Sequence, residues 1–266
     1  MIGRYGVAFL GILKREWLRF VRQRGRFFAA LVRPLLWLVI FAAGFRTVLG
    51  LPPMPPYETY MTYEQYIAPG LVGMILLFSG MQAALSMVYD RETGSMKVLL
   101  TSPLPRSFLL VARLVATTLV SLPQVYAFLA IAWFWEVRPP PIAMLTVFPA
   151  LFLSGMMLSA FGLLLSSLIK QLENFAGVMN FVIFPMFFAS SALYPLWRLK
   201  EGSPILHGIA AINPFTHAVE LIRFALYARL DVTALGWVAM SLAVCLALAL
   251  YRYEPSRSLR PGRFAP

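Results

Sequence analysis

Long stretches with almost no charge recur along this chain, and they leave few folds open to it. Crossing a hydrocarbon layer of about 30 Å takes about 20 apolar residues at a rise of about 1.5 Å each. Six stretches reach or approach that length: roughly 31–51, 67–89, 107–135, 142–169, 175–197 and 232–252. Of the 266 residues, 60% are hydrophobic and 13% are charged, the latter about half of the ~25% usual in a soluble domain. The expected fold is an all-α membrane protein. It forms one transmembrane domain over 1–266, with six spanning helices that satisfy their own backbone hydrogen bonds.

The formal net charge of +12 would suggest nucleic acid in a soluble protein. In a chain this apolar, basic residues instead hold one side of the membrane, so no nucleic-acid partner is expected and the lipid bilayer is. Residues 5–28 read as an amphipathic helix lying in the interface. Arg15, Arg19, Arg22 and Arg26 fall in one stripe toward anionic headgroups, and Leu10, Leu13, Trp17, Phe20, Val21, Phe27 and Phe28 lie on the opposite half. Lys and Arg crowd this helix, the 90–106 segment and the tail, whereas only Arg138, Arg198, Lys200, Arg223 and Arg229 fall on the other side. The positive-inside rule then places both termini and the 90–106 segment in the cytoplasm.

The segment 198–231 is too long for a simple hairpin and too apolar for a free loop. Ile205 to Ile212 is apolar, and Asn213-Pro214 reads as an N-cap followed by Pro at the first helical position. A second helix to about Tyr227 follows, on which Glu220 and Arg223 are i,i+3 neighbours able to pair. Two short apolar helices between spans predict a re-entrant hairpin dipping into the outer leaflet, with Asn213, Pro214, Glu220 and Arg223 as its candidate functional residues.

No catalytic constellation is visible, and the chain reads as a non-enzyme. H-E-x-x-H, G-x-S-x-G and the phosphate-binding G-x-x-x-x-G-K-[ST] are all missing. The lone Cys245 permits neither a disulfide nor a thiolate metal cluster within one chain, and neither a metal nor a bound cofactor is expected. His207 and His217 read as interfacial polar tips. Ion-coupled transporters usually carry ionisable groups in mid-span. Here the mid-span polar groups are neutral, among them Ser79, Gln82, Ser86, Thr117, Ser121, Gln124, Ser190 and Ser191. Helix–helix hydrogen bonding and the lining of a cargo path are both open to them.

A membrane path without an energy source of its own is either passive or driven by a partner. The dense island from Asp90 to Arg106 is where a partner would grip. Ser95 to Leu100 can form a short helix with Met96, Leu99 and Leu100 on one face, and Thr101 to Pro105 then redirects the chain. An apolar knob with charged flanks suits a groove in another protein. A solvated loop resting on headgroups fits the same residues.

Four features resemble the permease subunit of type-2 ATP-binding-cassette (ABC) exporters. Asp90-Arg91-Glu92-Thr93-Gly94-Ser95-Met96-Lys97, with Thr101-Ser102-Pro103 after it, is similar to the family's coupling-helix loop. Lys97 stands where the family often carries a second acidic residue. Ala192-Leu193-Tyr194-Pro195-Leu196 and Asn213 to Arg223 resemble the family's segments before the last span, and the overall layout matches.

The resemblance implies a bacterial inner-membrane permease that acts as a homodimer with a separate ATPase subunit, which binds the ATP and Mg. The cargo would be hydrophobic, lipid-like, a drug or a glycan. Asp90, Arg91, Glu92, Thr93, Gly94, Ser95, Met96, Lys97, Leu100, Thr101 and Pro103 would couple to the ATPase, with the N-terminal helix beside them. Asn213 and Arg223 would help close the path from outside. The alternative is a stand-alone transporter or channel working without an ATPase.

Overall fold

A computed structural model describes residues 2–22, 24–45, 62–94, 104–135, 137–169 and 171–252. Among these residues there are ten α-helices, one turn of 3-10 helix and no strand. In chain order they are α1 (Ile2–Arg22), α2 (Arg24–Phe45), α3 (Tyr63–Glu92), α4 (Arg106–Ala132, continued by the 3-10 turn Trp133–Trp135) and α5 (Ala143–Leu168). There follow α6 (Leu172–Phe188), α7 (Leu196–Gly202), α8 (Pro204–Ile212), α9 (Pro214–Ala225) and α10 (Val232–Arg252).

The all-helical expectation holds, with a smaller count of unambiguous spans. Four helices are long and apolar enough to cross a membrane: α3, α4 with its 3-10 turn, α5 and α10. The α8–α9 pair, bent by 73°, makes a fifth if it is counted as one span. The expected first and fifth runs appear as shorter apolar helices, Ala30–Phe41 within α2 and Leu172–Phe188.

The fifth run stops early for a local reason. Beyond Pro185 the side chain of Ser190 donates to the Phe187 carbonyl (2.6 Å) and accepts from the Ala192 amide (3.1 Å). Such short polar side chains compete with the helical ladder, and the chain turns before Pro195 starts α7.

The expected 5–28 helix falls on α1 and the start of α2, with Gln23 between them outside the described residues. α1 lies against α2 and α4, with the Tyr5 ring edge-on to Phe108 at 4.9 Å. Leu10, Trp17 and Val21 remain exposed.

α3 is the axis of the bundle. Thr62 and Gln65 form a reciprocal capping box at its start. Its buried residues then occupy nearly every face and contact α2, α4, α5, α6 and α9. It approaches α5 closely: a Cβ on Gly80 would lie 2.9 Å from the Ser159 Cα. A larger residue would therefore push the two central helices apart. α10 completes the bundle against α5 and α9.

Candidate functional site

Helix α3 runs from Tyr63 to Glu92, about 44 Å at 1.5 Å per residue, and each of its ends holds a polar cluster. The sequence reading put Asp90, Arg91 and Glu92 in a loop; they form the last turn of α3 instead. Thr93 caps that helix, and Gly94 follows with φ +72. A left-handed residue after the cap is where glycine carries no Cβ penalty.

Successive helical residues point about 100° apart, so these three side chains reach three different neighbours. Asp90 is buried, with Arg15 and Arg113 each at 3.1 Å and Arg19 at 3.7 Å. Glu16 lies 3.8 Å from Arg19 and 3.9 Å from Arg113, and the Ser86 hydroxyl accepts from both of those arginines. Three guanidinium groups thus share two carboxylates, joining α1, α3 and α4. Arg91 donates to the Ser166 carbonyl in the last turn of α5 (2.6 Å). The Glu92 carboxylate accepts from the Leu172 amide that opens α6 (2.8 Å). A cation at a helix C-terminus and an anion at a helix N-terminus are each the favourable sign.

The opposite end is organised by Arg223 of α9, which is 1% exposed. It pairs with Glu220 one turn earlier, donates to the carbonyls of Tyr66 (3.2 Å) and Ser191 (2.9 Å), and lies 3.9 Å over the Tyr66 ring. The Tyr66 hydroxyl donates to that same Ser191 carbonyl at 2.8 Å. Asn213 caps α9 by accepting from the Phe215 amide (3.0 Å). Its amide nitrogen donates to the carbonyls of Met186 (2.8 Å) and Ala189 (2.7 Å), where α6 ends. The Thr216 hydroxyl accepts from the Ser191 amide (3.3 Å) and donates to Ala210 (2.7 Å). Breaking α6 leaves backbone groups without ladder partners, and these side chains supply them.

Residues 7–227 match the family model described as ABC-2 type transporter. The chain belongs to that family. It is 28% identical over 215 residues to a protein named transport permease ycf38 of Cyanophora paradoxa, covering 80% of this chain and 72% of that one. Its namesake in Porphyra purpurea is 27% identical over 249 residues, covering 90% and 82%. A protein named multidrug ABC transporter permease YbhR of Escherichia coli strain K12 is 30% identical over 171 residues, covering 63% and 45%. The chain is thus a multi-pass membrane permease of the ABC-transporter class, and its family normally works with an ATP-binding subunit.

Within the permease, the sequence-predicted residues divide into distinct groups. Asp90 and Arg15 with Arg19 meet, as do Asn213, Pro214, Glu220 and Arg223 around the α6 break. Arg22 and Trp17 stay exposed on α1, away from the carboxylates. Arg15 and Arg19 turn toward Glu16 and Asp90 rather than standing only toward headgroups. Thr93 and Gly94 close α3. Ser95, Met96, Lys97, Leu100, Thr101 and Pro103 lie outside the described residues, as does the side chain of Arg26.

Three residues escaped the sequence reading: Glu16, Ser86 as an ionic partner, and Arg113. For Arg113 the available signal is a cation two turns inside α4, where an intramembrane charge demands a partner. His217 is more than an interfacial tip. Its Nε2 lies 2.9 Å from the Ala211 carbonyl, and its ring stacks on Trp237 at 4.7 Å.

Proposed function

We propose that this permease is the membrane half of an ABC exporter. A separate ATPase subunit, carrying ATP and Mg, would drive two permease copies. The observation that carries the reading is the end of α3, where Asp90, Arg91 and Glu92 tie one helix terminus to α1, α4, α5 and α6. A displacement of the segment that follows Gly94 is thereby passed to most of the bundle at once. Passive channels have no need of such a collecting point. The segment Ser95 to Pro103 docks in the ATPase, with Met96, Leu99 and Leu100 as its apolar contact, and α1 lies beside it in the interface. The protein sits in the bacterial cytoplasmic membrane with both termini and this segment on the ATPase side, as its basic residues favour.

In this reading α2 and α6 complete six spans, and the α8–α9 pair is a re-entrant hairpin on the far side. Asn213 and Arg223 brace that hairpin against α3 and α6, closing the path from outside. Cargo is a hydrophobic, lipid-like, drug or glycan molecule, in keeping with mid-span polar groups that are neutral.

Purification of the tagged permease from its native membrane tests the assembly. An ATPase with a phosphate-binding loop is expected to co-purify and to be lost from Met96→Arg and Leu100→Arg permeases that still accumulate in the membrane. Absence of any ATPase from the wild-type preparation, with flux in liposomes from this chain alone and without ATP, overturns the proposal.

A further inference from the structure

A cavity of about 150 Å³ opens between α1, α2, α3 and α4, on the α1 side of the bundle. Its walls are amphipathic. Met74, Ile75, Phe78 and Val120 line the apolar part, while α3 contributes Ser79, Gln82 and Ser86 and α4 contributes Thr117, Ser121 and Gln124. Both polar sets recur at i, i+3 or i+4, and i+7, which places each on one helix face.

Some of these groups are used within the protein. The Ser79 hydroxyl donates to Gln124 at 3.1 Å, Ser121 bonds its own helix, and Ser86 serves the arginines of the ionic cluster. Gln82 and Thr117 are different. Both line the cavity, and among the described residues neither makes a hydrogen bond within the protein. Their polar atoms are open to hydrogen bonds with whatever fills the cavity.

Charge at the mouth selects the occupant. Arg33 lies within α2, about 13 Å from its start at 1.5 Å per residue. Its guanidinium sits 4.1 Å over the Phe78 ring and has no carboxylate partner among the described residues. The neighbouring Arg19 is already engaged by Glu16, Asp90 and Ser86. Of the charged side chains lining the cavity, Glu16 and Arg19 pair with each other, whereas Arg33 is held by a ring face and faces no carboxylate among the described residues. A guanidinium with its fork of N–H groups is suited to phosphate, and basic pockets between membrane helices suit acidic lipid headgroups.

We infer that this cavity is a binding site within a single permease copy for a membrane phospholipid of net negative charge. Arg33 holds the phosphate, Gln82 and Thr117 bond the glycerol and ester oxygens, and the apolar wall takes the first carbons of one chain. The rest of both chains stays in the bilayer. The inference does not depend on an ATPase partner.

Native mass spectrometry of the full-length permease in detergent, titrated with dioleoyl phosphatidylglycerol or dioleoyl phosphatidylcholine, tests it. The expected result is one tightly held phosphatidylglycerol per copy, bound about tenfold more tightly than phosphatidylcholine, equivalent to about 1.4 kcal/mol. Arg33→Gln should remove that preference. Ala83→Phe, which fills the cavity from its lining, should weaken both lipids. Arg198→Gln is the control: that arginine also lies over an aromatic ring, Trp197 at 5.4 Å, but does not line the cavity, and its loss should change nothing. Equal binding of the two lipids by the wild type, or a preference that survives Arg33→Gln, overturns the inference.

Discussion

Helix α3 carries a cluster built around arginine at each end, and the two are built in opposite ways. At the Asp90 end three arginines from α1 and α4 converge on two carboxylates, and Arg15 keeps 38% of its side chain exposed. The partners come from positions 75 residues apart, and the bonds join side chain to side chain. At the Tyr66 end one buried arginine pairs with Glu220 on its own helix and spends its other donors on backbone carbonyls.

In the first arrangement Arg19 and Arg113 each face both Asp90 and Glu16, so either can trade one carboxylate for the other as helices shift. The second fixes the backbone of a broken helix, so any movement strands buried polar groups. One end of the axis is therefore suited to receive a displacement, and the other to hold a closed state until the displacement arrives.

Substitutions at the two ends should separate these roles. The largest stability loss is expected for Arg223→Met, which removes the buried cation paired with Glu220 and its bonds to the carbonyls of Tyr66 and Ser191. Removing one partner of a buried pair costs about 3–5 kcal/mol, so thermal unfolding in detergent should show a marked drop or failure to accumulate. Asp90→Asn leaves three guanidinium groups with one fewer anion and is expected to cost about 1–3 kcal/mol. Its larger effect should be on ATP-driven transport, which the same preparation measures after reconstitution. Asn213→Ala removes the α9 cap and should cost about 1 kcal/mol, read in the same melting assay. Arg15→Ala, on a half-exposed partner, should cost less than about 1 kcal/mol and less still in high salt. If Arg15→Ala proves as damaging as Arg223→Met, the contrast between the ends is wrong.

The sequence exposes local features well and long-range ones poorly. Asn213-Pro214 was readable because a cap and its helix are contiguous, and the Glu220–Arg223 pair because i,i+3 neighbours meet on any helix. The four longest helices follow from apolar length alone.

Elsewhere local pattern misleads. The dense charge of Asp90-Arg91-Glu92 resembles a loop, although each residue has a helix-end or ionic partner that lets α3 continue. Glu16 is eclipsed by the arginine stripe around it, and its partner Arg113 is nearly a hundred positions away. The neutral polar residues of α3 and α4 looked alike in sequence. Only packing divides them into Ser79 and Gln124, which bond each other, and Gln82 and Thr117, which face a cavity.

The central claim is that displacement enters through Asp90 and reaches the α8–α9 pair. A single cysteine at Ile212, exposed on α8, in a Cys245→Ala background reports on that far end through its labelling rate with a membrane-impermeant maleimide. In the reconstituted permease–ATPase complex, ATP should change this rate about severalfold, the size of a modest population shift. Asp90→Asn should abolish the change while the ATPase stays bound. An Asp90→Asn complex that keeps the full ATP-dependent change would contradict the account.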